Sequence, residues 1–130
     1  MNTRLYIYAS GIESSILAMS KKINWPESSV RNSSIDTNRW TWRTKHEQCG
    51  DFPEEDLLTF LRTHKEKLIK LSNFRTALQE LSVMIVSEVT PEDPHRGYSI
   101  TSELIAALHQ LNLSLEIDVV PGLSGYQKVG

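Results

Sequence analysis

The stretch "RWTWRTKHEQ", Arg39 to Gln48, sets two tryptophans two residues apart among arginines and a lysine. Two readings compete: a surface on which nucleic-acid bases stack, or half of a hydrophobic core. In extended chain, successive side chains point to opposite faces. Trp40 and Trp42 would then share one face, and Arg39, Thr41 and Arg43 the other. Base stacking wants rings and cations together around one groove, and the alternation separates them. The spacing therefore predicts a strand that buries its tryptophans under helices and turns its arginines toward water or acids.

Outward from this strand, helical and strand patterns alternate. Toward the N-terminus, "LYIYA" sets Leu5, Ile7 and Ala9 against Tyr6 and Tyr8, the period of a half-buried strand. Ser10 and Glu13 form a capping-box pattern, and Ile12, Ile16, Met19 and Ile23 recur at helical spacing, predicting a helix near residues 11–23. Trp25-Pro26 ends it, because the residue before proline is pushed out of helical geometry. Glu27 to Asn38 is polar and turn-rich, with room for one short strand.

Toward the C-terminus, "CGDFPEED" turns into a helix whose first turn carries Pro53, Glu54, Glu55 and Asp56. Leu57, Leu58, Leu61, Leu68 and Leu71 continue one long amphipathic helix to about residue 72. "ELSVMIVSEV" is apolar and β-branched, a second strand. "TPEDPHRG" is a loop, and "YSI" has the look of a short strand. Thr101 fits an N-cap ahead of a helix carrying Leu104, Ile105, Leu108 and Leu111, and Asn112 fits a left-handed stop. In "LSLEIDVV", Leu113, Leu115, Ile117 and Val119 oppose Ser114, Glu116 and Asp118. Pro121 and Gly122 close that strand. The expectation is one α+β domain over 1–120, with a mostly antiparallel or mixed sheet, helices layered on one face and a ferredoxin-like tendency. Residues 121–130 read as a flexible tail.

The composition fits a soluble globular chain, 39% apolar and 23% charged over 130 residues. One cysteine, Cys49, cannot make an intrachain disulfide, and a reducing compartment is the simpler expectation. "MNTRLYIYAS" has too short an apolar run for a signal peptide, and no run approaches a membrane span. A cytoplasmic protein is expected, with no membrane partner. Charge is uneven. Residues 1–50 hold seven bases against four acids, a net of +3, and residues 80–130 hold two bases against seven acids, a net of −5. Folding either cancels these or leaves two poles that steer a partner. The acidic C-terminal region argues against nucleic acid as a partner, since phosphate binding needs a basic surface.

Four pieces of the chain resemble a family of small bacterial proteins, the domain of unknown function 4279. They are "RLYIYAS", the Trp-bearing "RWTWRT", "DFPEEDLLTFL" and "GYSITSELIAALHQLNLSLEIDVV", together spanning most of residues 4–120. The resemblance implies an α/β sandwich and no established activity. Some members sit in neighbourhoods of bacterial toxin systems, which implies immunity proteins. Glu27–Asn38 and the segment after Pro121 fit the family pattern less clearly, and nothing carries over to them.

No stretch is a catalytic motif. His46 and Cys49 make an H-x-x-C pair, but zinc needs two more ligands, and His64, His95 and His109 are scattered. No metal or cofactor is expected. Glu92, Asp93 and His95 form a small acid–base group, yet turn-forming residues explain that loop equally well. Glu116 and Asp118 stand on the polar face of the last strand, and Tyr6 and Tyr8 join them if the first strand lies nearby. Tyrosines anchor interfaces and acids steer basic partners. A non-enzymatic protein-binding domain is the leading expectation, most concretely an immunity protein holding a basic toxin domain. Its contacts would be Tyr6, Tyr8, Glu116 and Asp118, with Glu92 and Asp93 as further acidic candidates. A small-ligand or regulatory domain is the alternative, and a hydrolase using the Glu92–His95 loop comes third. The oligomeric state is left open.

Overall fold

A computed structural model describes residues 2–33, 35, 38–93 and 97–122. The chain runs β1 (Asn2–Gly11), α1 (Glu13–Ile23), β2 (Ser29–Asn32), β3 (Trp40–Arg43), β4 (Glu47–Gln48), α2 (Pro53–Thr63), α3 (Lys65–Ser72), β5 (Glu80–Val89), α4 (Ser102–Gln110) and β6 (Ser114–Pro121). A single 3-10 turn, Arg75–Ala77, leads into β5. The fold is α+β, a six-stranded mixed sheet with four helices. Strand order is β2-β3-β1-β5-β6, with β4 beside β1 on the β3 side. All pairings are antiparallel except β5 with β6. The unit β1-α1-β2 is split, because β3 lies between its two parallel strands; this is half of the ferredoxin-like plan. The unit β5-α4-β6 is a plain crossover between neighbours. None of the described helices is long and apolar enough to cross a membrane.

One face of the sheet carries the core. Leu5, Ile7 and Ala9 of β1 pair with Ile85, Val83 and Leu81 of β5, and all six are buried. Trp42 pairs with Ala9 and is 0% exposed. The helices' buried aliphatic and aromatic side chains, from Ile16 and Met19 through Leu57, Phe60 and Leu68 to Leu104 and Leu108, all join this cluster. Helices are therefore layered on one face, and the tryptophan strand keeps its alternation with Trp42 inward and Thr41 and Arg43 outward beside Ser10 and Tyr8, but Trp40, expected buried with Trp42, is only half-buried at the strand's start.

The Trp strand does not stay regular. Between Tyr8↔Arg43 and Leu5↔Glu47, β1 advances three residues while its partner advances four. The extra residue is a bulge. Thr44 holds it: its N–H donates to Ile7 O (3.0 Å) and its hydroxyl accepts from Ile7 N (3.0 Å). A side chain thus replaces the lost ladder partner.

Several local expectations are corrected. Ser10 does not cap α1; it belongs to β1, pairs with Thr41 and Glu80, and α1 starts at Glu13 after an uncapped Ile12. Sheet pairing on both sides of β1 outcompetes the capping box, and Ile12 is left 56% exposed. The long helix is two helices broken at His64 (φ −103°, ψ 20°). The break brings the imidazole to 4.8 Å from the Trp25 ring and 4.6 Å from Phe60. Tyr98 to Ile100 form no strand; the Tyr98 hydroxyl hydrogen-bonds Ser87, and Ser99 N donates to the buried Glu54 (2.6 Å). The sequence read Trp25 only as a helix stop. It is core, delivered inward by left-handed Asn24 and Glu27 on either side, and packed against Trp42, Phe60 and His64. Thr101 does cap α4, accepting from Leu104 N (3.2 Å), and Asn112 is left-handed (φ 52°). β6 ends at Pro121, and residues 123–130 of the expected tail lie outside the described residues.

Trp42→Ala should lower unfolding free energy by about 3–5 kcal/mol, because it opens a large cavity in the aromatic cluster. The indole Nε1 has no hydrogen-bond partner among the described residues. Trp42→Phe removes that unsatisfied group while keeping a ring, and should cost less than half as much. Urea unfolding midpoints of the two variants against wild type check both; equal losses would show that the N–H is satisfied. Thr44→Val leaves Ile7 N–H unpaired and should cost about 1–3 kcal/mol, while Thr44→Ser should recover most of it in the same assay.

Candidate functional site: the open face of the sheet

The even-numbered residues of β1 and β5 point away from the helices, and their strand neighbours extend three rows across that face. One row runs Arg43–Tyr8–Ser82–Ser114, the next centres on Tyr6–Met84–Glu116, and the third runs Gln48–Arg4–Val86–Asp118. Val86 is buried yet stands outside the helix-side core. Glu116 thus lies two strands from Tyr6, about 10 Å across the sheet. The contact is through β5, since β6 pairs with β5 and not with β1.

The two tyrosines are not equivalent. The Tyr8 hydroxyl accepts from Arg39 Nη2 (3.3 Å), which also reaches Ser10 Oγ (3.4 Å) and forms an ion pair with Glu80. Arg39 therefore lies over the sheet and fastens Tyr8 in place. Tyr6 instead stacks on His46, with ring centroids 4.4 Å apart and planes 22° apart. The bulge at Thr44 re-aims the chain so that His46 reaches this position, which regular alternation could not foretell. Burial pushes the Tyr6 phenol up, against the pull of Arg43 and Arg4. Burial pushes the His46 imidazole down, and Arg4 and Arg43 add to that. The stacked pair is a neutral aromatic plate at neutral pH.

Charge is sorted across this plate. On the side of β1, β3 and β2 stand Arg4, Arg31, Arg43 and, just ahead of β3, Arg39; on the β5 and β6 side stand Glu80, Glu88, Glu116 and Asp118. Folding cancels part of the contrast through Arg39–Glu80 and Arg4–Glu88 (2.6 Å). Arg31, Arg43, Glu116 and Asp118 form no ion pair among the described residues. Both outcomes open to the sequence are realised: the inner charges pair and the outer ones remain as poles. Sequence reasoning turned Arg43 to the wet face but left it and Arg4 out of the partner-binding set, although Arg4 shares the parity of Tyr6 and Tyr8 within β1.

The remaining candidates lie elsewhere. Glu92 and Asp93 sit beyond the last β5–β6 pair, Val89↔Pro121. Asp93 Oδ2 accepts from Thr90 N (2.7 Å) and Thr90 Oγ1 (3.2 Å), so its carboxylate shapes the turn. His95, the third member of that loop group, lies outside the described residues. His46 is held by Tyr6. Cys49 is half-buried, its N–H bonded to Thr3 O (2.8 Å). Its thiol is pushed up to about 11 by burial, with Asp56 and Glu47 adding to it. Among the described residues no three His, Cys, Asp or Glu side chains converge on a metal-sized site. Trp40 is half-buried and forms a wall of an open cleft of about 690 Å³ with Ile12, Leu17 and Asn38.

Neither protein-family models, nor curated proteins, nor solved structures match this chain. The resemblance to the domain of unknown function 4279 rests on its four sequence pieces.

A thiol at about 11 rather than 9 has about 100-fold less thiolate at pH 8. Alkylation of Cys49 by iodoacetamide at that pH should be slower than that of a free cysteine peptide by about that factor, and Asp56→Asn should speed it. Labelling at the peptide's rate would mean that the thiol is neither desolvated nor flanked by carboxylates.

Proposed function

We propose that the protein is a non-enzymatic protein-binding domain, in its most concrete form an immunity protein that neutralises a cognate bacterial toxin. The open sheet face is the recognition surface. One observation carries this reading: the aromatic plate of Tyr6 and His46 and the half-buried Met84 lie between cations and carboxylates that form no ion pair among the described residues, with no described helix over them. Aromatic and Met side chains are enriched at interface centres, and flanking charge sets orientation and encounter rate. Tyr6 is the anchor. Tyr8 supports it from beneath Arg39, and Glu116 and Asp118 meet cations of the partner.

The partner is basic where it meets β6. A toxin domain that cleaves nucleic acid has such a surface at its active site, and covering that site is a direct way to silence it. The same face also asks for an acidic or carbonyl-rich patch opposite Arg31 and Arg43. This two-signed demand discriminates among basic proteins better than an all-acidic face would.

The test is co-expression with the product of the neighbouring gene, followed by affinity capture and binding kinetics. The folded double reversal Glu116→Lys with Asp118→Lys should associate at least about tenfold more slowly at low salt, with the difference shrinking as salt rises. Tyr6→Ala should cost about 2 kcal/mol or more, mainly in dissociation rate. Wild-type kinetics in all three positions would remove this face as the binding surface.

A further inference from the structure

β6 is where the sheet stops. On its inner edge it pairs with β5 over Ser114 to Pro121, and among the described residues no strand pairs with its outer edge. An unpaired strand edge is a template for another chain. β6 is also incompletely covered beneath. Leu113 N donates to Leu108 O (3.0 Å), so the tight stop at Asn112 fixes the end of α4 to the start of β6. From there α4 runs back over the strand for nine residues, about 13 Å. The eight residues of β6 extend about 26 Å. The helix runs out halfway, and exposure along the core side of β6 climbs as it does. Leu113 is buried and Leu115 half-buried, but Ile117 is 38% and Val119 56% exposed. Their upper-face neighbours, Glu116 and Asp118, form no ion pair among the described residues.

We propose that the outer edge of β6 accepts an extended segment of a partner protein by strand addition, a segment in which basic residues alternate with apolar ones. The inference rests on the protein-binding reading and assigns the partner's binding element. Backbone groups of the added strand satisfy the open edge, its apolar residues cover Ile117 and Val119 beneath the sheet, and its basic residues lie beside Glu116 and Asp118 above it. The charges also select against a second copy of this chain. In an antiparallel β6–β6 pair centred on Ile117, Glu116 faces Asp118 of the other copy on both sides of the axis. Four carboxylates then crowd one face in two cross-strand pairs, and like charges directly opposite destabilise a ladder.

The probe is an end-capped octapeptide alternating Lys and Val, with a Glu/Val octapeptide and a Lys/Val peptide of blocked order as controls. Binding is followed by titration at low salt, and its location by amide hydrogen exchange. The expected result is binding of the alternating Lys/Val peptide at least tenfold tighter than either control, with new protection along β6. Val119→Lys, on the opposite side of the sheet from the Tyr6 plate, should abolish it; Val119→Thr keeps the shape and should retain most of it. Equal binding to Val119→Lys, protection elsewhere than β6, or no binding below about 1 mM would overturn the proposal. So would a concentration-dependent dimer or filament formed by the protein alone, which would give the edge to a second copy. The recognition-face reading is judged separately: a captured partner that discriminates Tyr6→Ala but ignores Val119→Lys keeps the face and removes the edge.

Discussion

Everything in this molecule is referred to β1. It is paired along its whole length, by β5 on one side from Asn2 to Ser10 and by β3, Thr44 and β4 on the other. A strand with two partners has no freedom of register, since a slip of one residue would send Leu5, Ile7 and Ala9 into water and Arg4, Tyr6 and Tyr8 into the core. That single choice of parity sets what stands on both sides. It drags Val83 and Ile85 under the helices, fixes Met84 beside Tyr6, and through the parallel pairing of β5 with β6 decides that Glu116 and Asp118 surface on the tyrosine side. The bulge at Thr44 is a consequence of the same constraint. It lets the second half of the tryptophan strand keep company with β1 while turning His46 over Tyr6.

The charge pattern follows from strand order more than from chain order. The basic first third of the chain supplies β1, β2 and β3, and the acidic last part supplies β5 and β6. Where the two meet, around β1 and β5, charges pair: Arg4 with Glu88 across the two strands and Arg39 with Glu80 over them. At the two borders, Arg31, Glu116 and Asp118 form no ion pair among the described residues. An arginine such as Arg39 is then structural, because losing it would strip Ser10 and Tyr8 of a donor and Glu80 of its cation. Arg43, four residues on at the end of β3, has no such duty. The two arginines thus differ in role because only Arg39 has an ion-pair partner among the described residues.

Much of this was legible beforehand, for identifiable reasons. Strands with strict alternation, "LYIYA" and "LSLEIDVV", declare their faces, and Trp42 declares its own because alternation sets its ring opposite the arginines. Caps with one dominant physical solution, Thr101 and Asn112, are also readable. The failures have a common cause. Ser10 and Glu13 satisfy a helix rule, but a residue at a strand end answers first to its sheet partners, which the sequence does not name. His64 interrupts a leucine pattern that would serve an unbroken helix equally well, because the Trp25 ring it meets arrives from elsewhere in the chain. The Tyr6–His46 stack depends on a one-residue insertion in a ladder, and a bulge leaves almost no trace in composition. Trp25 was hidden by its proline neighbour, which is a louder signal.

The two borders of the sheet solve the same problem differently. β2 is four residues long and offers little edge to a stranger. β6 is twice that length and nearly regular, and it relies on Glu116 and Asp118 for protection. Short length protects against every partner, whereas charge protects only against partners of the same sign. Between copies of this chain the like-with-like pairing, β6 on β6, is the one the carboxylates oppose. The charge-compatible pairing, β2 on β6, is heterologous and would build rings or filaments; the brevity of β2 limits it. Each border therefore guards against the other as well as against itself, and the combination leaves one kind of visitor unopposed at β6: a longer strand, from another protein, carrying positive charge.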